Sequence, residues 1–238
     1  MSDAIQVQAL AKTRERALLV CGAIGPPLFI VVFVVAGAIR PDYSPVRHAV
    51  SALSLGESGW VQIANFILTG ALVLAFAFGL RPALRRYGGG IWAPLLIGLV
   101  GIGLIASGLF PMDPFAGYPP GTAVVSDRTT EGALHDAFGG AVFQGLAVAM
   151  CVVAYRFARS GHRGWAAYCI VNAVVFVIGI VLFGMAYEQN PTLMPIFGLL
   201  QRLTIIVGWT WLTALAAHLL RHPTARAAGG RADRGTVE

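Results

Sequence analysis

The fold that the sequence predicts is an all-α membrane bundle of six transmembrane helices, and three observations predict it: composition, apolar run length, and the placement of basic residues. Of 238 residues, 57% are apolar and only 12% are charged, with a mean hydropathy of +0.73. Soluble domains carry about 25% charged residues. A hydrocarbon core about 30 Å thick needs roughly 20 apolar residues per helical crossing. Runs of that length lie at residues 17–39, 60–80, 91–110, 137–155, 165–187 and 196–220. Backbone groups cannot be left unpaired in lipid, and barrel strands would alternate over about 10 residues, so the runs are helices.

The net charge of +6 does not point to nucleic acid, because the basic residues alternate across the runs. Lys12, Arg14 and Arg16; Arg81, Arg85 and Arg86; Arg156, Arg159 and Arg163; and Arg221, Arg226, Arg231 and Arg234 fall on one side. The opposite connections hold only Arg40, Arg47 and Arg128, whereas Asp42, Glu57, Asp113, Asp127, Glu131, Asp136 and Glu188 lie on or near that face. Cytoplasmic loops carry the excess of Lys and Arg, which places both termini in the cytoplasm. Arginine in place of nearly all lysine, with abundant Ala and Gly, suggests a GC-rich bacterial genome and hence an inner (plasma) membrane. Cys21, Cys151 and Cys169 lie inside apolar runs and read as small core residues rather than a disulfide framework.

In chain order, residues 1–16 read as a polar cytoplasmic tail and residues 17–220 as one six-helix membrane domain. The first run is too long for a signal-peptide core, and Val20 before Cys21 does not suit a lipidation site. Within it, Gly25-Pro26-Pro27 is expected to kink or break the helix, since consecutive prolines remove two backbone donors. The segment after it carries helix punctuation: Ser44 as N-cap, Pro45 at the first position, Gly56 as the stop. Tyr43, Val46, Val50 and Leu53 recur at helical spacing, which predicts a short amphipathic helix at the outer interface, between helices one and two.

Short basic connections at 81–90 and 156–164 make helices two and three, and four and five, antiparallel neighbours. The glycines of helices three and four allow close backbone approach, and Asn65, Gln144, Asn172 and Gln201 suit interhelical hydrogen bonds. A turn-rich segment, Pro111 to Gly121, leads to His135 and Asp136 at the mouth of helix four. His218 reads as an interfacial residue near the cytoplasmic end of helix six. Residues 221–238 have no apolar period and read as a disordered cytoplasmic tail.

His48, Ser51, Asp113, His135 and Asp136 all belong to the outer face, and Asn65 and Arg202 lie one to two turns inside it. Ionisable residues at membrane depth mark a function or a partner by default. Against that stands capping: the His135-Asp136 pair would simply cap a helix N-terminus, with the Asp136 carboxylate favoured by the helix dipole. As metal ligands, His48, Asp113 and His135 offer the three protein donors of a catalytic zinc site, without the spacing of a local zinc motif. As a hydrolase, Ser51 would need a histidine base and an acidic orienter; Gly56-Glu-Ser-Gly-Trp60 lacks the spacing of a nucleophile elbow. The sequence requires no cofactor. Arg202 wants a carboxylate or a phosphate: Asp113, Asp136 or Glu188 as an ion pair, headgroups reached by snorkelling, or a lipid phosphate.

On Pro41-Asp-Tyr-Ser-Pro45 with Arg47-His48, Ser51-Ala-Leu-Ser-Leu-Gly56 leading to Gly59-Trp60, Asn65-Phe66 with Gly70, Asp113-Pro114, Gly117-Tyr-Pro-Pro120 and His135-Asp136, the chain resembles the six-helix membrane family catalogued as domain of unknown function 998, over about residues 17–220. The resemblance implies a six-helix membrane fold and no established activity. The residues themselves suggest binding or processing of a lipid or other amphiphile in an outer-face polar pocket. There His48, Asp113, His135 and Asp136 would be polar contacts, Arg202 and Asn65 ligand-binding candidates, and membrane lipids the partners. The alternatives are a small-solute transporter using the Pro26-Pro27 break and a non-catalytic membrane scaffold.

Overall fold

The computed structural model describes residues 2–124 and 127–222, with side chains from residue 5 onward. Its long elements are α1 (Ser2–Ile39), α2 (Gly59–Ala83), α3 (Trp92–Leu109), α4 (Thr130–Arg159), α5 (Arg163–Tyr187) and α6 (Phe197–Arg221). Short 3₁₀ turns at Ser51–Ser54, Leu84–Tyr87 and Met194–Ile196 join them, and among the described residues there is no strand, only one isolated bridge between Phe115 and Tyr118. All six long helices are long and apolar enough to cross a membrane, so the chain is a multi-pass membrane protein. Outward-facing Val31, Val35, Phe78, Leu95, Val174 and Ile178 are exposed, as a lipid-facing surface requires.

Each helix packs against its neighbour in sequence, and α6 returns against α1, so the six form a closed ring. Phe29, Phe33, Phe66, Phe76, Trp209 and Trp211 are buried within the bundle. The tightest crossing joins α2 to α3. A Cβ on Gly70 would sit 2.7 Å from the Gly101 carbonyl, and one on Gly101 would sit 2.8 Å from the Gly70 carbonyl. Only hydrogen at both positions lets the two backbones touch, which supplies dispersion contact where lipid offers no hydrophobic drive.

The polar segment 2–16 is helical and runs on into the first span as one element, α1. Two sequence expectations are corrected. Gly25-Pro26-Pro27 does not break α1, which stays helical from Ser2 to Ile39. The carbonyls of Gly22 and Ala23 lose their usual donors. Gly22 and Gly25 nevertheless lie against Phe76 and Leu72 of α2, and that packing holds the helical path, as neighbouring helices commonly do around membrane prolines. The transporter reading thereby loses the break that motivated it. Finally, residues 44–56 form no amphipathic α-helix. A turn starting at Ser44 is followed by the four-residue Ser51–Ser54 turn. His48, Ala49, Val50, Ala52 and Leu53 are buried rather than laid on an interface.

The expected helix punctuation marks turns instead: the Ser44 carbonyl accepts from the His48 N–H at 2.8 Å, its hydroxyl from the Arg47 N–H at 3.4 Å, and Gly56 follows the second turn with a φ of +73°. The expected disordered tail lies outside the described residues beyond His222. Two faces result. The loop face carries residues 40–58, 110–124 and 127–129, and the arginine face carries the α2–α3 and α4–α5 connections.

Candidate functional site

The loop face is built around the first turns of α6. Gly198, Gln201 and Arg202 are spaced three and four apart, so they share one side of the helix, and the segment from Tyr43 to Val50 docks onto that side. The Leu199 N–H donates to the Val46 carbonyl at 2.9 Å, and the Val50 N–H donates to Gln201 Oε1 at 2.8 Å. Arg202 Nη1 donates to the carbonyls of Pro45 (2.6 Å), His48 (2.7 Å) and Gly198 (3.0 Å), while Nη2 donates to the Tyr43 hydroxyl. That hydroxyl donates onward to the Ala49 carbonyl at 2.8 Å.

Arg202 is only 8% exposed, yet the single ion pair among the described residues joins Arg128 to Asp136. The expected carboxylate partners Asp113, Asp136 and Glu188 therefore do not meet it, and its Nη donors already serve protein oxygens rather than a headgroup. The physical reason is local. A loop that leaves helical geometry inside the bundle presents carbonyls without donors, and a guanidinium satisfies several at once.

His48 is held by the same dock. Its Nδ1 accepts from the Ser44 N–H at 2.9 Å, and it is hydrogen-bonded to the Ala116 carbonyl. Its ring lies against Tyr118 and Tyr43, with centroids 5.0 and 5.4 Å away. An Nδ1 that accepts is an Nδ1 without a proton, so this geometry is that of the neutral ring. Burial is the main cause holding the pKa of His48 below its ordinary value, reinforced by the Arg47 and Arg202 charges. The same burial pushes the Tyr43 hydroxyl up to about 12, against the pull of Arg202.

A depressed histidine pKa gives stability that is complete above the unfolded-state pKa, about 6.5, and is lost as pH falls below it towards the folded-state value. Acidification from pH 7.5 to 5.5 is therefore expected to lower the thermal unfolding midpoint in detergent. His48→Asn keeps one acceptor and one donor but cannot titrate, so it should show a smaller drop. An equal drop in both proteins would mean that His48 is not the group responsible.

The second segment of the loop face meets α4 through caps. The Asp113 carboxylate accepts from the Thr129 N–H (2.9 Å) and the Thr129 hydroxyl (2.6 Å), and Thr129 Oγ1 accepts from the Gly132 N–H at 3.0 Å. The Asp113 carboxylate thus lies against the first turn of α4, where the helix dipole favours it, and this end of α4 is capped through Thr129 rather than by the His135-Asp136 pair. His135 Nδ1 faces the carbonyls of Phe110 (2.8 Å) and Ser107 (3.1 Å), and two acceptors require that this nitrogen carry the proton. His135 thereby closes the C-terminal end of α3. Asp136 pairs with Arg128 at 3.1 Å and accepts from the Tyr187 hydroxyl at 2.8 Å.

The polar residues of the sequence expectation are therefore divided. Ser51 and His135 line one cavity at the centre of the ring together with Phe66, Gln201 and Trp209. Its volume is about 40 Å³. A water needs at least about 10–15 Å³ on this measure, so the cavity holds a few waters and no substrate. Asn65 turns to α1, donating to the Phe29 carbonyl at 3.2 Å, whereas Asn172 bonds within its own helix to Tyr168. Among the described residues no three His, Cys, Asp or Glu side chains are grouped to hold a metal ion, so His48, Asp113 and His135 are not assembled as ligands.

Sequence reasoning placed Tyr43 and Arg40 on this face but gave neither a partner, and it missed Gly198. Arg40, at the end of α1, donates to the carbonyls of Leu53 and Leu55, both at 2.9 Å, and pins the second half of the loop. It also stands at the mouth of a groove between α1 and α2, of about 390 Å³, lined by Val31, Val32, Val35, Ile39 and Val61, with Arg40 and Ser58 as its polar groups.

Compared with known proteins, residues 23–218 match a family model described as a protein of unknown function (DUF998). No curated protein and no solved structure matches the chain.

Proposed function

We propose that this chain, which belongs to the DUF998 family, binds a membrane lipid or similar amphiphile at its loop face, in the groove between α1 and α2. One observation carries the reading. The groove is the one sizeable space on the loop face among the pockets described above, and it is apolar along its length with polar groups at one end. Small-molecule sites have this character: a few hundred Å³, mostly apolar, with a small number of placed polar groups. From Val31 to Ile39 the α1 wall runs about 12 Å along the helix axis. An acyl chain fits along that stripe and brings its headgroup to Arg40 and Ser58.

In this reading the outer cluster foreseen from the sequence is the frame and not the binding surface. Arg202 and His48 hold the 40–58 loop, which borders the groove at Arg40, Pro41 and Ser58, while Asp113, His135 and Asp136 hold the neighbouring loop. The arginine excess supports an arrangement in which the arginine face is cytoplasmic and the groove opens to the outer leaflet of the inner membrane.

Val35 is 53% exposed on the groove wall, so Val35→Trp fills the groove without touching the bundle interior. Lipid retained through delipidation and read by native mass spectrometry is expected to fall at least about tenfold, a loss of roughly 1.4 kcal/mol of binding. Val174→Trp, at an equally exposed position on α5, should change nothing. Equal retention in wild type and Val35→Trp would overturn the reading.

A further inference from the structure

A second pocket lies on the arginine face, between the turn after α2 and the end of α4. It is of about 390 Å³ and is lined by Tyr87, Gly88, Tyr155, Arg156, Arg159 and Ser160. Its shape follows from the glycine turn. Gly88, Gly89 and Gly90 take φ values of +84°, +63° and +123°, which let the chain fold back under α4. Arg156 Nη1 donates to the Gly88 carbonyl at 3.3 Å, and a Cβ on Gly90 would stand 2.8 Å from Arg156 Nη2. The turn is therefore fitted around the Arg156 guanidinium, which it orients at one nitrogen.

The charge of this region is not answered by the protein. Among the described residues no carboxylate lies within 4 Å of Arg156 or Arg159. Arg86 stacks on the ring of Tyr87, 4.5 Å from its centroid, and so brings a third positive charge next to a lining residue without lining the pocket itself. Tyr155, 57% exposed at the pocket, is the residue type that suits headgroup depth.

We propose that this pocket is a phosphate site, occupied by the headgroup phosphate of an anionic phospholipid or by free phosphate. Guanidinium forks match the oxygens of a phosphate, and basic pockets between transmembrane helices on the cytoplasmic side are suited to anionic headgroups. The site is at the opposite face from the α1–α2 groove and does not depend on it.

The test uses the full chain in detergent, delipidated and titrated by native mass spectrometry with dioleoyl phosphatidylglycerol and dioleoyl phosphatidylcholine. Wild type is expected to prefer the anionic lipid, and the double variant Arg156→Gln/Arg159→Gln to bind it about thirtyfold more weakly. Arg85→Gln, an exposed arginine on the same face that does not line the pocket, should bind as wild type does, and so should Val35→Trp. If the double variant fails to fold, Arg159→Gln alone, at an exposed position, should show about a fivefold loss. Displacement of phosphatidylglycerol by millimolar inorganic phosphate assigns the site to free phosphate, and persistence assigns it to the lipid headgroup. Equal binding of the two lipids by wild type, or an equal loss in Arg85→Gln, overturns the proposal.

Discussion

Arg202→Met is expected to be among the most damaging single substitutions in this protein, with a loss of stability on the order of 3–5 kcal/mol. The sign is not obvious in advance. Removing a buried charge also removes its desolvation cost, and replacing a whole buried ion pair by apolar residues is often neutral. Here the partners are not another side chain. They are the carbonyls of Pro45, His48 and Gly198, with the Tyr43 hydroxyl, and none of the carbonyls can be mutated away. Methionine fills the volume but leaves those acceptors buried and unpaired, so the desolvation they suffered on folding is no longer offset.

Arg202→Lys keeps the charge and three donors without the planar fork, and should recover part of the loss. Thermal unfolding in detergent would read the difference as a midpoint shift on the order of 10 °C for Arg202→Met. Limited proteolysis should then cut first in the 43–50 segment. A shift of only a degree or two would mean that the guanidinium does not latch the loop.

The residue that was most conspicuous in the sequence is thus important for a reason the sequence did not give. Periodicity and run length made the helices legible, because a membrane leaves the backbone no choice but internal pairing. The family followed from local motifs such as Pro41-Asp-Tyr-Ser-Pro45 and His135-Asp136, matched over residues 23–218. Which partners the polar residues take depends on how two loops fold back into the bundle, and no local pattern records that. Tyr43, Val46, Val50 and Leu53 have helical spacing, yet the segment is a turn. The bonds offered by Gln201 and Arg202, some 150 residues away in sequence, outweigh those of a short isolated helix, which is marginal by itself. In the same way α2 packing against Gly22 and Gly25 overrode the proline signal in α1. Arg40 had no partner legible in the sequence, because an arginine at a helix end usually means only an interface.

Gly198→Ala tests the same dock from the opposite direction, by crowding instead of deletion. In an exposed helix this substitution stabilises by roughly 0.5–1 kcal/mol, since alanine loses less backbone freedom on folding. At Gly198 the added Cβ would stand 2.8 Å from the backbone N and C of His48, with the His48 carbonyl oxygen nearer still. Those are main-chain atoms and cannot swing aside, so the whole 43–50 segment must lift from α6. Lifting it stretches the bonds from Arg202 and the one between Leu199 and Val46. We expect a net loss of about 2–4 kcal/mol, the overpacking cost plus part of that network. Gly139 in α4 has nothing within 4 Å of where its Cβ would go, so Gly139→Ala should be neutral or mildly stabilising. Because Gly198 and Arg202 act on one loop, Gly198→Ala combined with Arg202→Met should cost clearly less than the two single losses added together. Strict additivity, or a Gly198→Ala midpoint equal to that of Gly139→Ala, would mean that the loop is not seated on α6, and the latch assigned to Arg202 would fall with it.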